Sequence, residues 1–322
     1  MKSPVLVFLD TEDGKIRKSA IGTLSFAARL AGNNAEVFAI LPGEQISEIT
    51  SLGNYGADRI LRIREASWLM NEVSHGADFL TTLMAQFGSD MLFMTQSSYS
   101  CLLAASIAVK MDAALLTNIA EFPESIEPLK VKRSIFGGKA SETITMNGQK
   151  TIWLISRTAT PLIRRNKNAI VEDLPELEED RKSEDVRLLE TRKTCGSVNL
   201  PEAEVVVSGG RGLQGPENWG MIESLAHELG AALACSKPVS DAGWRPHTEH
   251  VGQTGLKVAP KLYVAVGISG AIQHLAGVNA SGKILVINKD PEAPFFKAAD
   301  YGILGDAFEI VPRITEAIRK IR

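Results

Sequence analysis

The sequence predicts an α/β fold of two domains, each a mainly parallel sheet flanked by helices, the C-terminal one doubly wound. Three observations carry this. The 322 residues exceed one typical domain. Short apolar runs alternate with helical patterns in both halves, as strand–helix–strand units require. Between the halves, about residues 168–197, the chain turns polar: Glu172-Asp-Leu-Pro-Glu-Leu-Glu-Glu-Asp-Arg-Lys-Ser-Glu-Asp185 is nearly free of large apolar side chains, as in a solvated connector. The predicted domains are residues 1–197, which include a β-hairpin extension and this linker, and residues 198–322.

The first domain opens on Val5-Leu-Val-Phe-Leu9, a continuous apolar run that fits a strand buried on both faces. After the turn Thr11-Glu-Asp-Gly14, a helical pattern runs from about Ser19 to Leu30, with Ile21, Leu24, Ala28 and Ala31 on one face and Gly32 as its stop. Strands are predicted at Ala35–Leu41, Ala57–Leu61, Met91–Thr95 and Ala114–Thr117, with helices at about Trp68–Phe87 and Ser100–Met111. Beyond Glu121 the pattern becomes β-rich, with strands at Leu129–Arg133, Glu142–Met146 and Thr151–Ile155. Asn147-Gly148 is a tight-turn signal that predicts a hairpin between the last two.

The second domain restarts the alternation. Glu204–Ser208 is a strand, Gly209–Leu213 a turn, Asn218–Leu229 a helix stopped by Gly230, and Ala231–Ser236 a strand. Strands follow at Leu262–Val266 and Ile284–Asn288, with a helix around Ile272 between them, then a short strand at Phe308–Val311 and a helix at Ile314–Ile321. A sheet wound in this way places its ligand along the carboxyl edge.

Bulk properties exclude several classes. Hydrophobic content of 44% and charged content of 23% are ordinary for a globular protein. A net charge of −3 with scattered Lys and Arg gives no reason to expect a nucleic acid or anionic membrane partner. Cys101, Cys195 and Cys235 have no metal-ligand spacing and fit thiols in a reducing compartment. No apolar run approaches the ~18 residues of a membrane span, so membrane insertion is not expected. The first residues already form a strand, with no signal peptide or Arg-rich transit segment ahead of them. The expected location is a bacterial cytoplasm in preference to a mitochondrial matrix.

The second domain carries the candidate chemistry. In Ser208-Gly-Gly-Arg-Gly-Leu213, glycines after a strand let the backbone approach a phosphate, and Arg211 adds a fork of donors. The same glycines also serve a tight strand-to-helix turn, so both roles stand. Gly267-Ile-Ser-Gly-Ala-Ile-Gln-His274 repeats the arrangement: Ser269 can donate to a phosphate or ribityl oxygen, and Gln273 and His274 are expected to point to the sheet edge. A lone helical His also serves packing. Gln253-Thr-Gly255, Asn288-Lys-Asp290 and Asp300–Asp306 read as further polar loops. Together they suit an extended dinucleotide. His247 and His250 read as exposed loop residues. There is no GxSxG elbow, no HExxH and no acidic pair with an evident role, so no metal or catalytic residue is assigned.

The stretch Leu262-Tyr-Val-Ala-Val-Gly-Ile-Ser-Gly-Ala-Ile-Gln-His-Leu-Ala-Gly277 followed by Ile284-Leu-Val-Ile-Asn288 resembles the signature of the electron transfer flavoprotein alpha subunit. Ser208–Leu213, Ser236, Asp241-Ala-Gly-Trp244, Val251-Gly-Gln-Thr-Gly255, Asn288–Pro294 and Ala299–Asp306 agree with it. In the first domain, Arg133–Gly138 is the best local match. The resemblance implies that the C-terminal domain binds FAD and that the chain forms a heterodimer with a beta subunit, to which any AMP belongs. It implies an electron carrier in place of a substrate-transforming enzyme, taking electrons from flavin dehydrogenases such as acyl-CoA dehydrogenases of fatty acid beta-oxidation and passing them to a quinone oxidoreductase.

By the same resemblance, FAD is contacted by Arg211, Ser236, Lys237, Gln253, Thr254, Ser269, Gln273, His274, Asn288 and Asp306, the set extending to Val251, Gly252, Gly270, Ala271 and Ile272. Thr254 would reach the flavin N5 edge and His274 the O2 side. Ser269 and the adjacent N–H groups would hold the pyrophosphate, and Asn288 and Asp306 would lie toward the adenosine. Donors or positive charge at the O2/N1 edge stabilise negative charge there, and ~1.4 kcal/mol moves a one-electron potential by about 60 mV. Lys237 departs from the family's usual Arg: it keeps the charge and loses the planar fork. Val286 replaces a usual Ala, a packing change. The alternatives are the alpha subunit of an electron-bifurcating variant, whose partner binds a second FAD and oxidises NADH, and a stand-alone NAD- or flavin-dependent oxidoreductase.

Overall fold

The computed structural model describes residues 3–12, 14–43, 49–64, 72–135, 140–146, 150–156, 164–174 and 200–321. The chain divides into two compact units, Met1–Arg192 and Lys193–Arg322. Most of the charged connector, Cys195 and the start of the helix expected from Trp68 lie outside the described residues.

The first unit alternates β1 (Val5–Phe8), α1 (Lys18–Ala31), β2 (Val37–Pro42), β3 (Arg59–Ile63), α2 (Val73–Gln86), β4 (Met91–Thr95), α3 (Ser98–Met111) and β5 (Ala114–Ile119). Then come β6 (Leu129–Ile135), β7 (Ala140–Met146), β8 (Thr151–Ile155) and β9 (Ile170–Asp173). The sheet order is β7-β6-β5-β8-β4-β1-β2-β3-β9, with the two-residue strand Ser125–Ile126 also on β6. All neighbours are parallel except at β6, which runs antiparallel to β5 and β7. Successive residues of β1 feed opposite cores. Val5 and Val7 pack with α1, while Leu6 and Phe8 pack with α2 and α3, as a strand covered on both faces requires.

The expected hairpin of Glu142–Met146 with Thr151–Ile155 is not formed. Its Asn147-Gly148 turn lies outside the described residues, and the two strands go to different places. β7 pairs with β6, Ile144 opposite Val131. β8 enters the parallel sheet between β4 and β5, with Trp153 opposite Phe93 and Leu116. The burial pattern gives the reason. All of β8 is buried, whereas β7 is exposed or half-buried up to its last residue. A strand with no polar face needs cover on both sides, which an outer hairpin position cannot supply.

The second unit is a five-stranded parallel sheet built from β10 (Val205–Gly209), α4 (Gly220–Leu229), β11 (Ala232–Cys235), α5 (Lys237–Asp241), β12 (Leu262–Val266), α6 (Ile272–Val278), β13 (Lys283–Asn288), β14 (Tyr301–Leu304) and α7 (Ala307–Ile321). The order is β11-β10-β12-β13-β14. Gly230 ends α4 at φ +60, its N–H returning to the Ala226 and His227 carbonyls. One core holds Val206, Tyr263, Ala265, Val286 and Phe295; the other holds Val207, Val264, Val266, Ile287 and Trp219 with α4 and α7.

Two expectations are corrected here. Residues 300–306 are not all loop, because Tyr301–Leu304 forms the edge strand β14. Phe308–Val311 is not a strand but part of α7. Its buried residues Ala307, Val311 and Thr315 recur every four positions, a helical and not an alternating period. Asp306 starts this helix, its carboxylate accepting the Phe308 N–H at 2.9 Å. No helix of the described residues is long and apolar enough to cross a membrane.

Candidate functional site

From β10 the chain moves first to β11 on one side and later to β12 on the other. The direction of winding therefore reverses between β10 and β12, and the crevice outside the carboxyl ends of these strands is where such sheets bind ligands. Here the two glycine-rich loops close on each other. The Gly210 N–H donates to Val266 C=O at 2.9 Å and the Gly212 N–H to Gly267 C=O at 3.0 Å. A Cβ on Gly210 would stand 2.2 Å from the Gly267 oxygen, and one on Gly267, at φ +62, 2.9 Å from Gly212 Cα. The first duty of these glycines is thus backbone-to-backbone packing. Arg211, between them, is exposed.

Next along the edge, β11 is followed by buried Ser236, the residue before α5, with Lys237 exposed as the first residue of that helix. The loop from Val251 to Leu256 lies beside it, the Val251 N–H donating to Cys235 C=O at 3.0 Å. Val251 and Gly252 are buried, while Gln253 and Thr254 are exposed. The Gln253 N–H donates to the Gln273 carbonyl at 2.7 Å, which ties this loop to the first turn of α6.

The segment after β12 carries Ser269, Ala271, Ile272 and Gln273 exposed and Gly270 buried at φ +82 against Phe295. Buried Asn288, at the end of β13, clamps this segment. Its Nδ2 donates to Ile268 C=O at 3.0 Å, and its Oδ1 accepts the Asp290 N–H at 3.1 Å. Asp306 is exposed at the start of α7, and its carboxylate caps that helix.

Gln273 and His274 do not share a direction. Gln273 is exposed, but His274 is buried, its Nε2 hydrogen-bonded to the Tyr263 hydroxyl at 2.9 Å and its ring edge-on to Phe295. The α-helical step of about 100° between neighbours turns one outward and the other onto the sheet. Burial, with a smaller push from His250, lowers the His274 pKa to about 4, against the Val251 backbone. The ring is therefore neutral at neutral pH. Apart from the Val251 backbone, its buried Nδ1 has no hydrogen-bond partner among the described residues.

His250 is also corrected. His247 is exposed, as expected, with Nδ1 2.9 Å from Ser240 Oγ, but His250 is buried. The bridge between Cys235 and His250 draws it under the loop that follows. The sequence reading also missed Tyr263, whose place in an apolar strand hides its bond to His274, and Arg245. The Arg245 guanidinium joins Glu249 at 2.6 Å and Glu223 at 2.9 Å and lies 5.5 Å from the Trp219 ring centroid. It anchors the segment that leads to His250.

The donor set fits a flavin dinucleotide. Arg211, Lys237, Gln253, Thr254, Ser269 and Gln273 are exposed donors on the segments that follow β10, β11 and β12, and the buried Nδ1 of His274 is the kind of polar atom a ligand satisfies. Among the described residues no group of His, Cys, Asp and Glu could hold a metal ion.

The model of the electron transfer flavoprotein FAD-binding domain matches residues 199–279, and that of the electron transfer flavoprotein domain matches residues 5–179. The alpha subunit of electron transfer flavoprotein from Thermoanaerobacterium thermosaccharolyticum is 34% identical, over 99% of this chain and 98% of its own. That of Bacillus subtilis is 33% identical over 100% and 99%, and the mitochondrial one of Arabidopsis thaliana 31% over 97% and 89%. Full-length similarity and both domain models agree: the chain belongs to the electron transfer flavoprotein alpha subunit family.

Proposed function

We propose that this chain binds one FAD across the carboxyl edge of its second sheet. In a heterodimer with the electron transfer flavoprotein beta subunit, it carries electrons from flavin dehydrogenases, such as acyl-CoA dehydrogenases, to a quinone oxidoreductase. The observation that carries this is the set of exposed donors from Arg211 to Gln273 on the segments that follow β10, β11 and β12. The flavin supplies the redox chemistry, and the protein supplies position and field. Arg211 and Ser269 serve the phosphates, Gln253 and Thr254 serve the ring, and Asn288 keeps the Ser269 segment in shape. His274 acts as a neutral hydrogen-bonding group. Positive charge beside the flavin therefore falls to Lys237, the exposed cation at the start of α5.

The test is to purify the chain with and without its partner, count flavins and titrate with reductant. One FAD per heterodimer, with no NADH reduction and no turnover by the isolated chain, is the expected result. Two flavins with NADH reduction would identify the bifurcating variant, and turnover by the isolated chain would overturn the carrier reading.

A further inference from the structure

The Val251–Leu256 loop is wrapped around a histidine. The His250 N–H donates to His247 C=O at 3.1 Å, and its carbonyl accepts the Leu256 N–H at 2.8 Å. Its ring touches both glycines of the turn. A Cβ on Gly252 would stand 3.5 Å from His250 Nε2, and one on Gly255 2.7 Å from Nδ1. Between these glycines lie Gln253 and Thr254, the exposed residues that meet the flavin in the reading above. The imidazole lies inside the turn. At Gly255 a Cβ would meet both the ring and, at 2.4 Å, the His250 carbonyl oxygen, while at Gly252, held at φ +153, the nearest atom is the Gln273 oxygen at 3.1 Å.

We propose that His250 is the positioning residue of this turn: the neutral ring holds Gln253 and Thr254 in the shape that receives FAD, and charging the ring opens the turn. This rests on the FAD reading. The groups facing the ring are Asp241 and Lys237 of α5, His247 of the preceding turn and His274 of α6. Only Asp241 favours the charged form. Burial first, then Lys237 and His247, push the pKa of His250 below its ordinary value. Glu249, its neighbour in sequence, is occupied by Arg245. An opened turn returns the ring to water and to its ordinary pKa near 6.5. The closed turn is therefore fully favoured above that pH and loses ground as pH falls, so acid weakens FAD binding.

Fluorescence titration of FAD into the deflavinated full-length chain, in the assembly in which it purifies, tests this at pH 7.5 and 5.5. The parent is expected to bind FAD more weakly at the lower pH, by up to about tenfold, the ceiling set by one pH unit below the ordinary pKa. His250→Gln, which keeps an uncharged planar group inside the turn, should bind with the same constant at both pH values. His250→Ala should bind more weakly at both. His274, held near 4, stays neutral throughout. A His250→Gln variant with the parent's pH dependence, or a parent that binds as tightly or more tightly at pH 5.5, overturns the proposal. A parent that binds no FAD at pH 7.5 overturns the FAD reading instead. Should His250→Ala not fold, the Gln comparison decides alone.

Discussion

Gly267→Ala tests how the crevice is built. Gly267 sits at φ +62, where an L-residue costs roughly 1–2 kcal/mol. Its new Cβ would also stand 2.9 Å from Gly212 Cα and 3.1 Å from Gly212 C. Those atoms belong to backbone that is itself bonded to Gly267, so relief requires the two loops to part, at roughly 1–3 kcal/mol. The sum is roughly 2–5 kcal/mol. Gly230 provides the control: its φ is +60 and nothing lies within 4 Å of its Cβ position. Gly230→Ala should therefore lose only the first part, roughly 1–2 kcal/mol. Urea denaturation followed by circular dichroism measures both losses, and FAD titration shows whether the crevice has opened. Gly267→Ala should be the less stable by about 1–3 kcal/mol and bind FAD more weakly. Equal losses in the two variants, with FAD affinity unchanged, would refute the backbone-to-backbone account.

Three further outcomes follow from the site. Lys237→Arg should shift the flavin midpoint potential by tens of millivolts, since about 60 mV needs only ~1.4 kcal/mol of differential stabilisation; unchanged potentials in a redox titration would remove Lys237 from the flavin's field. Asn288→Ala, which leaves Ile268 C=O and Asp290 N–H without their clamp, should cost about 1–3 kcal/mol and raise the FAD dissociation constant; a variant as stable as the parent would show that the clamp is idle. His274 should make stability pH-dependent. Its folded pKa, about 4, lies below the ordinary 6.5, so its contribution, about 3 kcal/mol in all, is whole above 6.5 and is lost as pH falls toward 4. Urea midpoints over that range should fall less steeply for His274→Gln than for the parent.

The site was legible in the sequence where local rules govern it. Gly267, Ser269 and Gly270 follow a strand and precede a helix, and Gly32 and Gly230 stop helices, all within a few residues. What escaped depends on distant partners. The Asn147-Gly148 signal names a turn but not a partner, and the unbroken burial of Thr151–Ile155 decided against the neighbouring strand. Phe308-Glu-Ile-Val311 carries strand-forming side chains, yet Asp306 caps a helix there and α4 packs on it. Tyr301–Leu304 is a short edge strand interrupted by Gly302, too brief for an alternation to show. His250 lies in a polar stretch, His247-Thr-Glu249, and its bridge to Cys235, a residue fifteen positions earlier, draws it inward. The Tyr263–His274 bond joins residues eleven positions apart that the strand-to-helix crossover brings together.

The late arrival of β8 has a consequence for how the chain is made. As the polypeptide leaves the ribosome, β4 and β5 emerge first, but the place between them belongs to a strand some 30 residues further on. Until Ile155 is free, the first sheet has a gap at its centre, flanked by the unpaired edges of Met91–Thr95 and Ala114–Ile119. Pairings of this range form slowly, and the open edges are sites for misassembly. Trp153 reports the moment of closure: it is fully buried, stacks on Phe93 at 5.1 Å between ring centroids and donates to Thr151 Oγ1 at 2.9 Å. Chains ending before Thr151 should be held by chaperones, and Trp153 fluorescence in refolding should mark the step that closes the centre of the first sheet.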